Sequence, residues 1–248
     1  MHLIDWRVVR AWVSALATIL AASGTGYLVW VQLHPESENT RLDWVSILVV
    51  GLVAVGTSFA RLVRLYTVER FAERQSKVGV ALRSLAWAVH YSTNQAVPVQ
   101  PLGASAFVVV GFGPFKWLRR LAHERVNDSP GETLGVRWTK GKGILGVAWS
   151  SGREACVNTG RFDAQHRNCS EGEWNMLGED DRRRLTYREY RSIEGKYGTV
   201  IVVPMIDRER VIGVVALDCP PGHHHRLDNP LVIELVANAS SLITNLVT

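Results

Sequence analysis

Two stretches without a charged residue dominate the first quarter of the chain: 23 positions from Ala11 to Leu33 and 17 from Trp44 to Ala60. Crossing a hydrocarbon core of about 30 Å takes about 20 apolar helical residues. The first run reaches that length unaided. The second is extended by Leu62 and Val63, with Arg61 able to lay its aliphatic stem along the apolar surface and keep its charge in water. Between the runs lie residues 34–43, a polar link with Pro35, Glu36, Glu38, Arg41 and Asp43, too short to fold alone. The pattern predicts a two-span transmembrane hairpin over 1–63.

Basic residues set its direction. Arg7 and Arg10 precede the first run, Arg41 alone lies in the link, and Arg61, Arg64, Arg70, Arg74 and Lys77 follow the second. An excess of Lys and Arg marks the cytoplasmic side, so both termini are expected in the cytoplasm of a cell with a plasma (inner) membrane of bacterial type. The competing reading is a secretory signal peptide cleaved near Ala21, Ala22, Ser23 and Gly24. Such a core runs about 7 to 15 residues, whereas this one continues through Tyr27, Leu28, Val29, Trp30 and Val31. Neither run holds an ionisable residue at its centre, which removes the usual sign of a proton relay, voltage sensor or ion-coupled carrier.

The net charge of +5 would suit nucleic acid if the cations formed one stripe, but many flank the apolar runs, so membrane topology explains them and no nucleic-acid partner is expected. Three cysteines, Cys156, Cys169 and Cys219, are too few and too irregular for a disulfide framework and fit a reducing compartment.

Residues 64–93 read as a connecting helix. Leu65, Val68, Ala72, Gln75, Gly79, Leu82, Ala86 and Val89 follow alternating spacings of three and four, the seam of a two-stranded coiled coil. The same spacing also describes one amphipathic helix packed on its own domain. Asn94, Pro98 and Pro101 end it, since proline cannot continue the hydrogen-bond ladder.

From 94 to 248 the periodicity changes. Ala104 to Gly111 reads as a central strand and Trp117 to Val126 as a second strand or a helix, followed by a loop at Asp128, Ser129, Pro130 and Gly131. Gly143 to Ser150 reads as a short helix between glycine-bearing turns, and Glu154 to Asn158 as a short strand. Tyr197 to Ile206 and Glu209 to Asp218 read as an antiparallel hairpin turning at Asp207 and Arg208. A last helix from Pro230 to Val247 carries Leu231, Leu235, Ala239, Leu242 and Leu246 on one face. Pro204, lacking a donor, belongs where the strand edge is free or bulged, and Gly213 permits a close approach.

Two stretches within this order, GKGILGVAWSSGREACVNTG from Gly141 to Gly160 and VIVVPMIDRERVIGVVALDCP from Val200 to Pro220, resemble the glycine-rich helix-turn-strand and the proline-ended hairpin of the GAF family of ligand-sensing domains. The resemblance covers roughly 75–248 and leaves 1–74 outside. It implies an α+β domain with an antiparallel sheet of six or so strands, helices on one face and a ligand cavity under a variable lid. Free methionine sulfoxide reductases within that family carry a cysteine where this chain has Leu145. The family's cyclic-nucleotide motif is not recognisable here, and no catalytic residue is assigned.

Gly141, Gly143 and Gly146 form GxGxxG, but no long parallel βαβ unit surrounds them, so dinucleotide binding is not expected. His166 with Cys169, and the run His223, His224 and His225, lack the second pair of ligands that a structural zinc site needs; no metal or cofactor is assigned. Arg161 to Lys196 contains eight basic and eight acidic residues. It reads either as a solvated insertion or as a charged lid whose arginines meet an anionic ligand, a nucleotide being one candidate. Candidate ligand-binding residues are Trp174, Arg182, Arg183, Arg184, Tyr187 and Tyr190 on the lid, with Cys156 on the short strand. The sequence thus points to a membrane-anchored small-molecule sensor in bacterial signalling, not an enzyme. Its expected partners are the bilayer, a second copy of the chain and a signalling protein left unidentified. The alternatives are a GAF scaffold with a filled pocket, or a membrane effector gated by a nucleotide.

Overall fold

The computed structural model describes residues 71–126 and 135–248. The predicted spans, the beginning of the connecting helix and the loop at 128–131 lie outside the described residues. Arg74–Thr248 form one compact unit.

Five strands make one antiparallel sheet: β1 Gly103–Phe112, β2 Phe115–Arg125, β3 Ala155–Asn158, β4 Thr199–Asp207 and β5 Arg210–Cys219, in the order β2-β1-β5-β4-β3. Five strands stand among the described residues where six or so were expected, and Trp138 adds one isolated bridge to Leu118 on β2. Of the two readings of 117–126, the strand is the one observed. Pairing with β1, including the cross-strand neighbours Val110 and Trp117, holds it extended.

The β4–β5 connection turns at Arg208 and Glu209, one residue later than expected, and both have positive φ, 46° and 65°. A two-residue turn with both residues left-handed matches the natural twist of the hairpin. Asp207 instead pairs with Arg210. Pro204 is where its missing donor costs least: β3 pairs only with Thr199–Val202, so among the described residues that edge of β4 has no partner strand beyond Val202. Gly213 is required by proximity, because a Cβ there would lie 2.2 Å from the Phe107 carbonyl oxygen.

The strict alternation of β5 divides the interior. Val215, Leu217 and Cys219 face one apolar layer, while Val214 and Ala216 face the other. The first layer is covered by α1, helical over 71–92, and by α7, Pro230–Val247. Val78, Leu82, Leu85, Ala86 and Val89 of α1 are buried there. Of the seam read from the sequence, Gly79, Leu82, Ala86 and Val89 are thus taken by the domain's own core, while Ala72 and Gln75 are exposed.

The buried face of α7 overlaps only in part with the one read from the sequence: Leu235, Ala239 and Leu246 pack half-buried against the core. Val232, Val236, Ser240, Ile243 and Thr244 point inward, whereas Leu231 and Leu242 are 49% and 52% exposed. The helix is apolar on most sides, so periodicity alone could not fix its rotation. What permits this face is that its two hydroxyls are satisfied: Ser240 donates to the Pro204 carbonyl at 3.0 Å and Thr244 to the Ser240 carbonyl at 2.8 Å. α7 is also long and apolar enough to cross a membrane by length and composition, yet here its inward side packs on the sheet.

The opposite face of the sheet carries α2 Gly143–Ser151, α3 Thr159–His166, α4 Glu171–Met176 and α5 Tyr187–Ile193, with the short α6 His224–Leu227 preceding α7. Helices therefore cover both faces, α1 and α7 on one side and the lid on the other, a correction to the expected arrangement with helices on one face only. The reason is that the segment 159–196, half of it charged or amide-bearing, still contributes Phe162, Trp174, Leu185 and Tyr190 to the second apolar layer.

Candidate functional site

Gly143 opens α2 at φ 59°, and a Cβ there would lie 2.4 Å from the Trp138 ring. The glycine therefore lets the indole lie against the helix start. Gly146 is equally constrained, since its Cβ would meet the Thr139 carbonyl at 2.2 Å. Close packing accounts for both glycines, with no phosphate needed to explain them.

The lid is built on an aromatic cluster. Trp174 and Tyr190 are both fully buried and stack with ring centroids 4.3 Å apart and an interplanar angle of 11°. Phe162 meets both edge-on, at 6.2 and 5.9 Å, the geometry that the ring quadrupole favours. Trp174 donates its Nε1–H to the Leu185 carbonyl at 3.1 Å. Two capping boxes start the short helices: Ser170 with Glu173, and Thr186 with Glu189. Glu189 also pairs with Lys142 at 2.6 Å, both side chains largely buried, which ties α5 to the glycine-rich turn. The segment is thus a folded lid and not a solvated insertion.

Between lid and sheet lies a cavity of about 450 Å³, within the size range of small-molecule sites. Its sheet side is formed by Ser105, Phe107, Arg120, His123, Arg125 and Asp218, and its lid side includes Phe162, Asp163, Arg183, Tyr190, Lys196 and Tyr197. Of the residues singled out from the sequence, Arg183 and Tyr190 line it. Trp174, Arg182, Arg184, Tyr187 and Cys156 do not. Trp174 is sealed behind Tyr190, and Arg184 sits instead against Gly141, its Nη1 occupying the space a Cβ would need. Cys156 packs on the far layer with α1 and α7.

Two of the thiols, Cys156 and Cys219, favour the protonated form. Burial, with the Asp228 charge, pushes Cys156 up to about 12, and burial, with Asp218, pushes Cys219 to about 12; a thiol in that condition is a poor nucleophile. Among the described residues, no three His, Cys, Asp or Glu side chains gather as a metal site.

Sequence reading missed Ser105, His123, Arg125, Asp163, Lys196 and Asp218. Ser105 and His123 face each other in register across β1 and β2, Oγ and Nδ1 2.8 Å apart. Burial, then the charges of Arg120 and Arg125, lower the pKa of His123, which favours a neutral imidazole. Arg125 pairs with Asp218 on β5; burial outweighs that partner and raises the Asp218 carboxyl to about 6. Asp163, also raised by burial, accepts the Gly195 N–H at 2.8 Å. Asp218 carried a signal, a carboxylate within the apolar run of β5, whereas His123 and Arg125 carried none, since Glu124 lies between them, Arg119 and Arg120 precede them and a bulge breaks the alternation of β2.

Both quoted sequence motifs lie on the elements that the resemblance implies, α2 to β3 and the β4–β5 hairpin, with the cavity under the segment between them. No family model matches the chain, and no curated protein matches it. Solved structures that are similar include a GAF domain region from Geobacter sulfurreducens PCA, 14% identical over 73% of this chain and 97% of that one, TM-score 0.44. A type II free methionine-R-sulfoxide reductase from Thermoplasma acidophilum is 13% identical over 72% and 94%, TM-score 0.43. The GAF domain of a phosphoenolpyruvate-protein phosphotransferase from Coxiella burnetii is 12% identical over 73% and 91%, TM-score 0.42.

Proposed function

We propose that the chain is a membrane-anchored cytoplasmic small-molecule sensor of bacterial signalling, without a catalytic output of its own. In this reading 1–63 form the two-span hairpin in the inner membrane with both termini cytoplasmic, 64–93 the connecting helix, and 94–248 the sensory domain. The observation that carries it is the cavity of about 450 Å³ between the sheet and a well-packed lid, with part of its mouth open to solvent. A cleft of this size that is largely apolar and holds a few convergent polar groups is the usual form of a small-molecule site.

The uncharged runs and the distribution of Arg and Lys support the anchor and its direction. A second copy of the chain fits the outer face of α1, where Val80, Trp87 and Tyr91 are exposed in one stripe, with Trp87 and Tyr91 stacked at 5.9 Å. Ligand acts by its difference in affinity between two lid arrangements, and α1, packed on the same sheet, passes the change to the membrane module or a signalling partner.

The test is hydrogen exchange on the full chain in lipid nanodiscs, with and without the small-molecule fraction released from a heat-denatured preparation of the same protein. Sensing requires slower exchange across 159–198 together with altered exchange in α1. A lid that responds while α1 does not would remove the coupling, and no response in either would remove the sensor.

A further inference from the structure

We propose that the ligand of this cavity is a small organic anion with a flat apolar body, and that Arg183, thrust inward by a strained turn of the lid, grips its charge. This rests on the sensor reading above and goes beyond it in ligand class and in the residue responsible.

The turn comes first. Arg183 and Arg184 are consecutive non-glycine residues in the left-handed region, φ 51° and 56°, where the Cβ crowds the following carbonyl oxygen. They are held there by a cluster of backbone bonds: Arg182 N–H to the Gly178 carbonyl at 3.1 Å, Arg183 N–H to Asp180 at 3.0 Å and Arg184 N–H to Glu179 at 2.7 Å. The Arg183 carbonyl then accepts the Gly143 N–H at 2.9 Å, which fastens the turn to the start of α2. Two strained residues in succession persist only where the surroundings enforce them, and such strain gathers at functional sites.

Its effect is to send one arginine into the cavity and its neighbour away from it. The Arg183 guanidinium lies 4.3 Å from the centroid of the Phe162 ring. Among the described residues no side-chain hydrogen bond or ion pair engages it; Asp163 supplies favourable charge only through space. Asp163 is itself occupied by the Gly195 N–H, and Asp218 by Arg125. A guanidinium has five donors in a planar fork. A carboxylate or phosphate accepts two of them in parallel.

Charge and surface complete the assignment. The lining includes Arg120, Arg125, Arg183 and Lys196 against Asp163 and Asp218, so the cavity carries a cationic surplus even with His123 neutral. Most of the remaining wall is apolar, with the aromatic residues Phe107, Trp138, Phe162, Tyr190 and Tyr197 set among aliphatic ones such as Leu145. Rings on the lid and sheet sides accept a planar body, and the arginine at its edge accepts the anion.

The test uses the full chain in nanodiscs with probes matched in shape and differing in charge: benzoate against benzamide, and indole-3-acetate against its amide. At least one anion is expected to raise the unfolding temperature while its neutral partner does not. Arg183→Leu should weaken that anion about ten- to a hundredfold, with the empty protein unfolding no lower than before. Arg183→Lys should retain part of the affinity, and provides the reading if the leucine variant does not fold. Equal binding of anion and neutral partner, or a neutral or cationic compound as the species released from the purified protein, would overturn the anion assignment and leave the sensor standing. Anion affinity unchanged in both variants would overturn the role of Arg183. No released compound and no response to any probe would remove the sensor reading together with this inference.

Discussion

Arg125 and Asp218 meet across the full width of a strand, directly over Gly103. Gly103 on β1 is the register partner of Arg125 on β2 and, on its other side, of Asp218 on β5. A Cβ on Gly103 would fall 2.5 Å from one carboxylate oxygen and 2.7 Å from Arg125 Nη2. The missing side chain is therefore what lets two outer strands form an ion pair above the middle one. Both members line the cavity, so the pair fixes the polar corner of the site as well as the sheet register.

Replacing Gly103 with alanine should break this bridge. The added methyl group has no room, and displacing the carboxylate leaves a buried charge without its partner. A loss of about 1–3 kcal/mol of stability is expected, read as a lower unfolding temperature of the full chain. Alanine at Gly135, which meets nothing within 4 Å, serves as the control. Equal stability of the two variants would show that the pair is not held as described.

The same corner should make stability respond to pH in two opposing ways. His123 has a folded pKa below its ordinary 6.5. As pH falls below that value the unfolded chain takes up the proton first, and stability is lost. Asp218 is raised from 3.8 to about 6, so on acidification from pH 7 the folded chain takes up that proton first and stability is gained. Near pH 5 to 6.5 the two contributions oppose each other. Asp218→Asn should therefore leave a protein that weakens on acidification through this window, and His123→Gln one that strengthens. Unfolding temperatures at pH 5, 6 and 7 decide the matter; parallel profiles for the two variants would contradict it.

A stabilising change is available at the β4–β5 turn. Glu209 occupies φ 65°, a region that costs a residue with a Cβ about 1–2 kcal/mol and glycine almost nothing. Glycine also frees the unfolded chain, which offsets part of the gain. Glu209→Gly should raise stability by about 0.5–1 kcal/mol, visible as a small upward shift in thermal unfolding. A downward shift would mean that the glutamate side chain contributes more than its backbone costs.

What the sequence disclosed followed the strength of each local signal. Apolar, β-branched runs bounded by turns located β1, β4 and β5 to within about two residues, and the glycine turn with Gly152 past its end located α2. The rotation of α7 was legible only in part: Leu235, Ala239 and Leu246 do pack on the core, but Leu231 and Leu242 are as apolar as Val232 and Ile243, and the partners of Ser240 and Thr244 decide between them. The lid was legible as a charged segment but not as a folded one. Trp174 and Tyr190 lie 16 residues apart and become neighbours only when the turn at Arg183 and Arg184 reverses the chain. That reversal also explains why a run of three arginines places one in the cavity, a distinction that composition does not carry. His123 and Arg125 went unnoticed because two inward polar positions at a strand end resemble ordinary solvated residues until β5 brings Asp218 beside them.

The lid's own core offers the sharpest check on its integrity. Trp174 contributes apolar area, the stack on Tyr190 and the bond from Nε1 to the Leu185 carbonyl. Trp174→Phe keeps much of the ring contact but leaves that buried carbonyl without its donor and a void where the second ring lay. A loss of about 1–3 kcal/mol is expected from the unmet carbonyl and the void together. Because Leu185 follows directly on the turn that positions Arg183, the loss should be accompanied by faster exchange of the amides of 178–186. Faster exchange there, with the amides of β4 and β5 unchanged, would show a lid that opens as its own unit. Uniform loosening of lid and sheet would show instead that the two apolar layers unfold as one.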